Sequence, residues 1–334
     1  MSRLCYFSVW FAITVFVCGE LTKAPKWRMN DGREIPSLAL GTWLGNNTQG
    51  RVEPQSDEVE KAVAAAIDLG YRHVDTAYAY KIEDQVGRAI SRKVADGVPR
   101  EDLFITTKLW NDRHATEEVV PALRESLQKL NLEYVDLYLI HWPVGQFSNL
   151  TFDYTDYIQT WRGMIEAKRL GLARSIGVSN FNERQIDRII EHGLEVPAVL
   201  QVEINLNLQQ PELLAYCKGK GILVMGYTPF GSLFYRKARP DAPPPRVDDE
   251  RLVAIASKYD KTVPQVTLRY LWELGVIAIP KSLGYDHLAT NIAVFDFELS
   301  DEDRTSMKQF DAGYRTIPQL KWLAHPYYPF EKKL

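Results

Sequence analysis

The chain has 334 residues, with 40 Lys or Arg against 43 Asp or Glu and a formal net charge of -3 at pH 7. No polybasic run is present, which argues against a nucleic acid as partner. Hydrophobic residues make up 46% of the chain, which is ample for a large core. Length alone leaves two architectures open, one α/β barrel or two smaller domains.

The first 19 residues differ from the rest. Arg3 is followed by an apolar stretch over 4–18 and then by the small residue Gly19. This order is typical of a secretory signal peptide, and the stretch is shorter than the roughly 20 apolar residues of a membrane span. We therefore predict a signal peptide over 1–19 and a single secreted domain over 20–334, with no stable membrane span. A buried first helix or an uncleaved anchor is the alternative.

Cysteine and asparagine positions bear on the same prediction. Cys5 and Cys18 lie in the predicted leader, so only Cys217 remains and no intramolecular disulfide can form. A large single core can fold without one. Two Asn-X-Thr sequons begin at Asn46 and Asn149 and are consistent with secretion, since each is an acceptor for an N-glycan.

After the leader, short apolar runs alternate with amphipathic segments. The runs predict eight buried parallel strands, over 37–41, 73–75, 103–108, 135–141, 175–179, 198–203, 222–227 and 276–279. The segments between them have apolar residues at helical spacing and predict helices over 57–69, 117–130, 157–170, 183–192, 211–218 and 249–259. No GxGxxG follows the first strand, so this alternation favours a (β/α)8 TIM barrel, an α/β fold, over a doubly wound sheet.

Three further segments complete the predicted fold. Two short strands, 26–29 and 34–36, form a hairpin before the first barrel strand and are expected to plug the barrel floor. Two long loops are expected to cover the mouth and to shape substrate choice, namely the proline-rich segment 231–247 and the C-terminal tail from about Gly313.

Polar side chains follow three consecutive predicted strands, where a barrel keeps its chemistry. Asp75 closes the second strand and Tyr80 follows five residues later, Lys108 ends the third strand and His141 ends the fourth. Each alone has a structural explanation, as a helix cap, a packed ring, a solvent-facing cation or a buried histidine. Their shared placement at strand ends predicts one catalytic site.

The four side chains suit proton donation to a carbonyl oxygen. A tyrosine with a pKa near 10 is a poor acid at neutral pH, and a nearby ammonium such as that of Lys108 is expected to lower the pKa of Tyr80. Asp75 is expected to hold Lys108 by an ion pair. Tyr80 then protonates the oxygen as hydride reaches the carbon, while His141 hydrogen-bonds the same oxygen. The four side chains therefore predict a site that reduces a carbonyl group, with Tyr80 as the proton donor.

Five ordered motifs resemble those of the aldo-keto reductases. They lie at 70–80, 105–111, 139–143, 177–181 and 279–282, and the similarity extends from about Lys26 to Leu334. The resemblance implies a (β/α)8 barrel and a catalytic tetrad of Asp75, Tyr80, Lys108 and His141.

The resemblance also implies a cofactor, NADPH. The residues it assigns to the cofactor are Ser179, Asn180, Gln201, Tyr227, Ser232, Lys281, Ser282, His287 and Asn291. Of these, the first three are implied to bind the nicotinamide carboxamide, Tyr227 to stack on the nicotinamide ring, and Asn291 to contact the adenine. Lys281 and Ser282, before a helix predicted over 287–294, are implied to hold the 2′-phosphate. From the residues alone, Ser179 and Asn180 are also consistent with a helix cap.

One cofactor position departs from the family pattern. The family usually has an arginine where this chain has His287, and often a glutamate where it has Thr290. Histidine lacks the permanent planar charge of arginine. NADPH stays favoured because Lys281 and Ser282 are kept, with NADH as the alternative cofactor.

The resemblance places three tryptophans, Trp43, Trp110 and Trp142, around the substrate beside His141. Aromatic walls suit a flat, apolar carbonyl compound. Without the resemblance these tryptophans are ordinary candidates for the core.

The leader and the segments 180–182, 241–246 and 294–297 resemble insect aldo-keto reductases, some of which reduce 3-dehydroecdysone at its 3-keto group. The resemblance implies a secreted 3β-type ecdysteroid reductase. A broad aldehyde and ketone reductase is one alternative, and a cofactor-binding protein with little turnover is another, since fold alone does not fix function.

Other chemistry finds less support. Tyr216 and Lys220 have the Tyr-x-x-x-Lys spacing of a second reductase class, but the Gly-rich nucleotide turn that this class needs is missing. The six histidines are scattered and form no close ligand pair, so no metal is expected. No heptad pattern or apolar stripe suggests more than a monomer.

Overall fold

The computed structural model describes residues 22–47 and 50–330. The predicted signal peptide over 1–19 lies outside the described residues, as does Thr48 of the first sequon. No helix in the described part of the chain is both long and apolar enough to span a bilayer.

Eight parallel strands form one sheet in which each strand pairs with its predecessor in the chain. They are β1 Leu40–Gly41, β2 His73–Asp75, β3 Phe104–Leu109, β4 Val135–Ile140, β5 Ala173–Ser179, β6 Val199–Glu203, β7 Leu223–Tyr227 and β8 Val276–Ile279. Parallel bridges from Leu38 to Ala278 and from Gly41 to Lys281 join the first strand to the last. The predicted (β/α)8 barrel is therefore confirmed.

Gly41 lies at the seam between the first and last strands. A Cβ atom at this position would lie 3.0 Å from Ile279 Cγ2 and 3.2 Å from the Ile279 carbonyl oxygen. Glycine therefore allows β1 and β8 to approach closely where the barrel closes.

The strands alternate with helices that pack outside the sheet. The described helices are α1 Glu58–Asp68, α2 Glu83–Ala95, α3 Thr116–Leu130, α4 Tyr157–Arg169, α5 Glu183–Glu191, α6 Pro211–Lys220, α7 Glu250–Lys258, α8 Val263–Glu273, α9 Tyr285–Ile292 and α10 Asp301–Lys308. Sequence analysis missed α2, α8 and α10. The helix predicted over 287–294 begins and ends two residues earlier, as α9.

The predicted hairpin is present at the N-terminal side of the barrel. Lys26–Arg28 pairs antiparallel with Glu34–Pro36. Met29 and Ile35 are buried in one cluster with Leu137 and Met225, which come from barrel strands. The hairpin therefore contributes side chains to the barrel interior, as a plug does.

The two long loops meet through Asn207, in the connection between β6 and α6. Its backbone oxygen accepts hydrogen bonds from the amides of Ala312 and Tyr314, and its Nδ2 donates to the Pro244 oxygen at 2.7 Å. Farther along the tail, the Pro329 oxygen accepts from Asn182 Nδ2 at 2.9 Å, just before α5. The tail therefore lies over the carboxyl ends of the strands, where the predicted site residues lie.

Candidate active site

Three of the predicted catalytic residues form one hydrogen-bonded group at the ends of β2 and β3. Lys108 Nζ lies 2.6 Å from Asp75 Oδ1 and 3.2 Å from Tyr80 Oη, and it also donates to the Thr76 oxygen at 3.0 Å. The Lys108 and Asp75 side chains are 0% and 4% exposed. This ion pair is therefore shielded from water.

Asp75 accepts further hydrogen bonds besides its ion pair with Lys108. Gln201 Nε2 donates to Asp75 Oδ2 at 2.8 Å, and the Thr42 hydroxyl donates to the Asp75 backbone oxygen at 2.9 Å. A buried ion pair needs such additional hydrogen bonds to offset the cost of desolvating two charges. Sequence analysis missed Thr42 and assigned Gln201 to the cofactor alone.

Tyr80 lies in the single turn Tyr78–Tyr80 after β2. Its ring stacks near Trp43, with centroids 6.4 Å apart, and meets the His141 ring edge-on at 5.7 Å. The structure therefore brings His141, which directly follows β4, to the same point as the other three members of the predicted tetrad.

The predicted direction of the Tyr80 pKa shift is wrong. Burial of the phenol raises the pKa of Tyr80 well above its ordinary value, and the Asp75 carboxylate raises it further. Desolvation also lowers the pKa of Lys108. Because burial, with Asp75 adding to it, disfavours the phenolate, Tyr80 is a protonated phenol at neutral pH, which is the form a proton donor needs.

His141 is a neutral imidazole in this site. Burial, with the charge of Lys108 adding to it, holds the pKa of His141 well below its ordinary value. Its Nδ1 has no hydrogen-bond partner among the described residues. A neutral imidazole has one N–H to donate and one nitrogen to accept, so His141 is able to hydrogen-bond a substrate oxygen without adding charge.

Aromatic rings surround this group. Trp110 meets His141 edge-on at 5.1 Å, and Trp142 meets Trp322 of the tail edge-on at 4.9 Å. Trp322 is fully buried and also lies 6.2 Å from Trp110. Sequence analysis did not single out Trp322, although the aromatic residues between 322 and 330 mark the tail as a packing segment.

The residues predicted to hold the nicotinamide lie at the ends of β5, β6 and β7. The Tyr227 hydroxyl donates to Asn180 Oδ1 at 2.7 Å, and Asn180 Nδ2 donates to the His141 backbone oxygen at 3.0 Å. Ser179 and Gln201 pair in register between adjacent strands. Asn182 caps α5 instead of Ser179 or Asn180, so the helix-cap alternative for those two residues is wrong.

The residues predicted to hold the 2′-phosphate and the adenine lie after β8 and along α9, and Ser232 of the predicted cofactor set lies in the loop after β7. Lys281 follows β8 after Pro280, and Ser282 Oγ accepts from the Gly284 amide at 3.1 Å. Asn291 is buried, whereas the side chain of His287 is exposed. Ser232 Oγ is buried and has no partner within the described chain, so it is a donor that lacks an acceptor.

Two cations that sequence analysis missed accompany Lys281. Burial lowers the pKa of Lys281, and the charges of Lys237 and Arg236 lower it further. Both residues belong to the single turn Tyr235–Lys237 in the loop after β7. Cations whose charges act on one another in this way fit a phosphate-bearing cofactor.

The rival tyrosine and lysine lie on the outer helices. The Tyr216 hydroxyl donates to Asp187 Oδ1 at 2.8 Å, and Lys220 Nζ lies 3.1 Å from the same oxygen. Both side chains therefore tie α6 to α5. Within residues 22–47 and 50–330, no group of three or more His, Cys, Asp or Glu side chains is arranged to hold a metal ion.

The fold is a barrel with a buried group of ionisable side chains at the carboxyl ends of its strands, where barrel enzymes have their active sites. The family model described as "Aldo/keto reductase family" matches residues 37–312. The chain belongs to the aldo/keto reductase family.

Individual relatives cover almost the whole chain. It is 48% identical to aldo-keto reductase AKR2E4 of Bombyx mori, over 92% of this chain and 99% of that protein. It is 40% identical to aldo-keto reductase family 1 member C18 of Rattus norvegicus, over 92% and 98%. The crystal structure of Bombyx mori AKR2E4 in complex with NADP matches with a TM-score of 0.88, at 48% identity over 92% and 99% of the two chains. That of AKR2E5 complexed with NADPH matches with a TM-score of 0.90, at 41% identity over 93% and 94%.

Proposed function

We propose that this protein reduces an aldehyde or ketone to an alcohol with NADPH, and that Tyr80 supplies the proton. The observation that carries the proposal is the buried group in which Lys108 Nζ contacts both Tyr80 Oη and Asp75 Oδ1. Burying ionisable side chains costs free energy, so the stability of the fold gives no reason to place three of them together. It suits acid catalysis, with the phenol of Tyr80 as the acid.

The substrate oxygen binds between Tyr80 Oη and the His141 ring. Tyr80 gives its proton to this oxygen, whose carbon receives the hydride that bound NADPH supplies. The ammonium of Lys108 stabilises the phenolate that Tyr80 becomes, and Asp75 fixes the ammonium in place. Lys108 therefore acts on the charge that develops during the reaction, and Tyr80 regains its proton from solvent.

Chain residues at the mouth hold the cofactor. Ser179, Asn180 and Gln201 bind the carboxamide and Tyr227 stacks on the nicotinamide ring, while Ser232 takes the bridging phosphates. Lys281, Ser282 and Asn291 hold the adenosine 2′-phosphate end. Arg236 and Lys237 provide the charge that His287 does not supply. The relatives crystallised with NADP and NADPH support this choice of cofactor.

We further propose 3-dehydroecdysone as the substrate, reduced to a 3β-hydroxy ecdysteroid. The 48% identity to an insect aldo-keto reductase supports it, as does the apolar wall of Trp43, Trp110 and Trp142. A broad aldehyde and ketone reductase is the second candidate, because the same wall suits any apolar carbonyl compound.

A substrate panel tests both levels of the proposal. NADPH and NADH oxidation is followed with 3-dehydroecdysone, nonanal and benzaldehyde, the alcohols are identified by mass spectrometry, and NADP⁺ binding is measured by thermal shift. The highest kcat/KM for the steroid supports the ecdysteroid, and a much lower one excludes it in favour of the broad reductase. NADP⁺ binding without turnover of any carbonyl would leave a binding protein and overturn the reductase.

We also propose that the protein is secreted as a monomer after removal of residues 1–19, with N-glycans on Asn46 and Asn149. Both asparagines have exposed side chains, and Asn149 lies in the turn between Gly145–Gln146 and Phe152–Asp153. Expression in insect cells, followed by N-terminal sequencing, glycosidase digestion and sedimentation, tests this. A mature chain starting at Glu20 that shifts on digestion supports it, and an intact, unshifted chain contradicts it.

A further inference from the structure

The second sequon lies at the tip of a hairpin that follows β4. Gly145–Gln146 pairs antiparallel with Phe152–Asp153, and the turn over 147–151 contains Asn149 and Thr151 of the sequon. The Phe147 amide donates to the Thr151 oxygen at 2.9 Å, and the Leu150 amide donates to the Phe147 oxygen at 2.9 Å. The sequon is therefore part of a turn that two backbone hydrogen bonds close.

The side chain of Asn149 is hydrogen-bonded to Thr151. Its Oδ1 accepts from the Thr151 amide at 3.0 Å and from the Thr151 hydroxyl at 2.6 Å. Neither hydrogen bond involves Nδ2, the atom to which an N-linked sugar is attached. Because the Asn149 side chain is exposed, a sugar on Nδ2 would begin at the surface of the turn and leave both hydrogen bonds in place.

Phe147 lies on the same face of the turn as the sequon. The Phe147 amide bonds the Thr151 oxygen, so these two residues oppose one another across the hairpin. Opposing residues of an antiparallel pair direct their side chains to the same face, and Thr151 in turn contacts Asn149. Phe147 is 50% exposed, so a large apolar ring lies half in water next to the point at which the sugar is attached.

The backbone of this turn is strained at Leu150. Its φ of 69° lies in the left-handed region, and its side chain is 74% exposed. A tight turn that is followed by a left-handed residue normally has glycine at that position, because a Cβ atom makes the conformation costly. Burial of the Leu150 side chain does not offset this cost, so the turn needs stabilisation from another contact.

The same hairpin holds the C-terminal tail at the barrel mouth. Gln146 Oε1 accepts from Trp322 Nε1 at 3.2 Å, and the Asp153 backbone oxygen accepts from His325 Nε2 at 3.0 Å. Trp322 in turn meets Trp142 of the aromatic wall edge-on at 4.9 Å. A contact that stabilises the hairpin would therefore also stabilise the attachment of the tail.

We propose that the innermost sugar of an N-glycan on Asn149 packs against the Phe147 ring and so stabilises the hairpin that holds the tail. One face of a pyranose ring consists of C–H groups, which are attracted to the electron-rich face of an aromatic ring. The contact also removes apolar area from water. The sugar is the occupant that the chain itself specifies, since Asn149 attaches it covalently two residues from Phe147. The proposal rests on the secretion and N-glycosylation proposed above and is independent of the reductase activity.

A double-mutant cycle tests this contact in the full chain secreted from insect cells, with Asn46→Gln throughout so that Asn149 is the remaining sequon. Asn149→Asp prevents glycosylation but keeps an oxygen acceptor for Thr151, and Phe147→Ser removes the ring. Hydrogen exchange of the turn amides, followed by mass spectrometry, measures local opening. We expect the glycan to slow this exchange by about 3- to 10-fold when Phe147 is present, as burial of one ring face predicts, and by less than about twofold in Phe147→Ser.

Two controls separate this contact from other effects of a glycan. Trimming the glycan with an endoglycosidase to its innermost N-acetylglucosamine is expected to keep the slow exchange, because that sugar makes the contact. Tyr154→Ser removes a second exposed ring just after the hairpin, which stacks near His325 instead. It is expected to leave the effect of the glycan unchanged.

Three results would overturn the proposed contact in a chain that carries the glycan. They are an equal effect of the glycan with and without Phe147, no effect in either protein, and an effect that is lost when one sugar remains. The intact mass of the secreted chain shows separately whether Asn149 is modified. An unmodified Asn149 would contradict the glycosylation itself and, with it, the contact.

Discussion

At the scale of single residues, the environment of Tyr80 decides what the site can do. Sequence reasoning correctly grouped Tyr80 with Lys108 but assumed that the ammonium would dominate the phenol. In the structure, burial and Asp75 outweigh it, and the pKa of Tyr80 rises. A phenol that stays protonated at neutral pH favours carbonyl reduction, whereas alcohol oxidation would need the phenolate and is expected to increase with pH.

Lys281 is expected to decide the cofactor preference. Lys281→Met removes the cation that is half-buried beside β8 and keeps a similar side-chain volume. We expect the Kd for NADPH to rise about 10- to 100-fold, since a charge-assisted hydrogen bond to phosphate is lost, while the Kd for NADH stays within about threefold. Quenching of tryptophan fluorescence measures both, and Lys61→Met on the exposed face of α1 is the control. Equal losses for the two cofactors would remove Lys281 from the 2′-phosphate.

His114 links stability to pH. It is fully buried, neither ring nitrogen has a partner among the described residues, and burial lowers its pKa to about 4. Unfolding returns the side chain to its ordinary pKa of about 6.5, so the unfolded chain binds more protons between pH 6.5 and 4. Stability is therefore lost as pH falls through this window.

Replacing His114 should remove one of the protons that the chain takes up when it unfolds in this pH range. We expect His114→Leu to weaken the dependence of the unfolding free energy on pH by up to about 1.4 kcal/mol per pH unit near pH 5. Urea denaturation of both proteins at several pH values between 7.5 and 4.5 measures it. Parallel curves would show that His114 does not take up a proton on unfolding.

At the scale of elements, the contact between α2 and α3 depends on a glycine. A Cβ atom on Gly87 of α2 would lie 2.5 Å from the Leu130 carbonyl oxygen at the end of α3. Gly219 of α6, in contrast, has no heavy atom of a non-neighbouring residue within 4 Å of such a Cβ. Alanine substitutions at these two positions therefore distinguish the effect of conformational preference on stability from the effect of packing.

The same substitution is expected to have opposite effects at these two glycines. Gly87→Ala should lower the free energy of unfolding by about 1 to 3 kcal/mol, because backbone atoms must shift. Gly219→Ala should raise it by about 0.5 to 1 kcal/mol, because alanine restricts the unfolded chain. Urea midpoints measure both changes, and a stabilising Gly87→Ala would show that the helices have room to separate.

Helices were predictable where one face is apolar and the other polar. α8 escaped prediction because every residue from Val263 to Leu271 except Pro264 is buried, which leaves no amphipathic period. α2 escaped it because polar Glu83, Gln85 and Lys93 are buried beside its few apolar residues. Tertiary contacts satisfy these polar groups, as when Thr107 Oγ1 donates to Glu83 at 2.7 Å, and such contacts leave no mark in local spacing.

At the scale of the whole molecule, the barrel follows from the sequence because all eight strands and most of the helices between them leave a local hydrophobic pattern. The tetrad follows too, because barrel topology gathers strand ends that are far apart in the chain. The position of the C-terminal tail does not follow from the sequence. The tail is attached where Thr316 donates to Glu203, 113 positions apart, and no local pattern in either segment predicts this contact. The contact of Trp322 with Trp110 and Trp142 could therefore not be predicted until the fold was known.

The central claim, that Tyr80 is the proton donor, is tested most directly by comparing Tyr80→Phe with Tyr78→Phe. Tyr78 belongs to the same turn, but its ring is contacted by Lys81 and Lys129 instead of Lys108. Single-turnover oxidation of NADPH by benzaldehyde is measured at saturating cofactor, with NADP⁺ affinity as the check on folding. We predict that Tyr80→Phe lowers the rate by about 10²- to 10⁴-fold with cofactor affinity kept, and that Tyr78→Phe stays within about threefold. A Tyr80→Phe protein that binds NADP⁺ and reduces benzaldehyde at the wild-type rate would contradict the account.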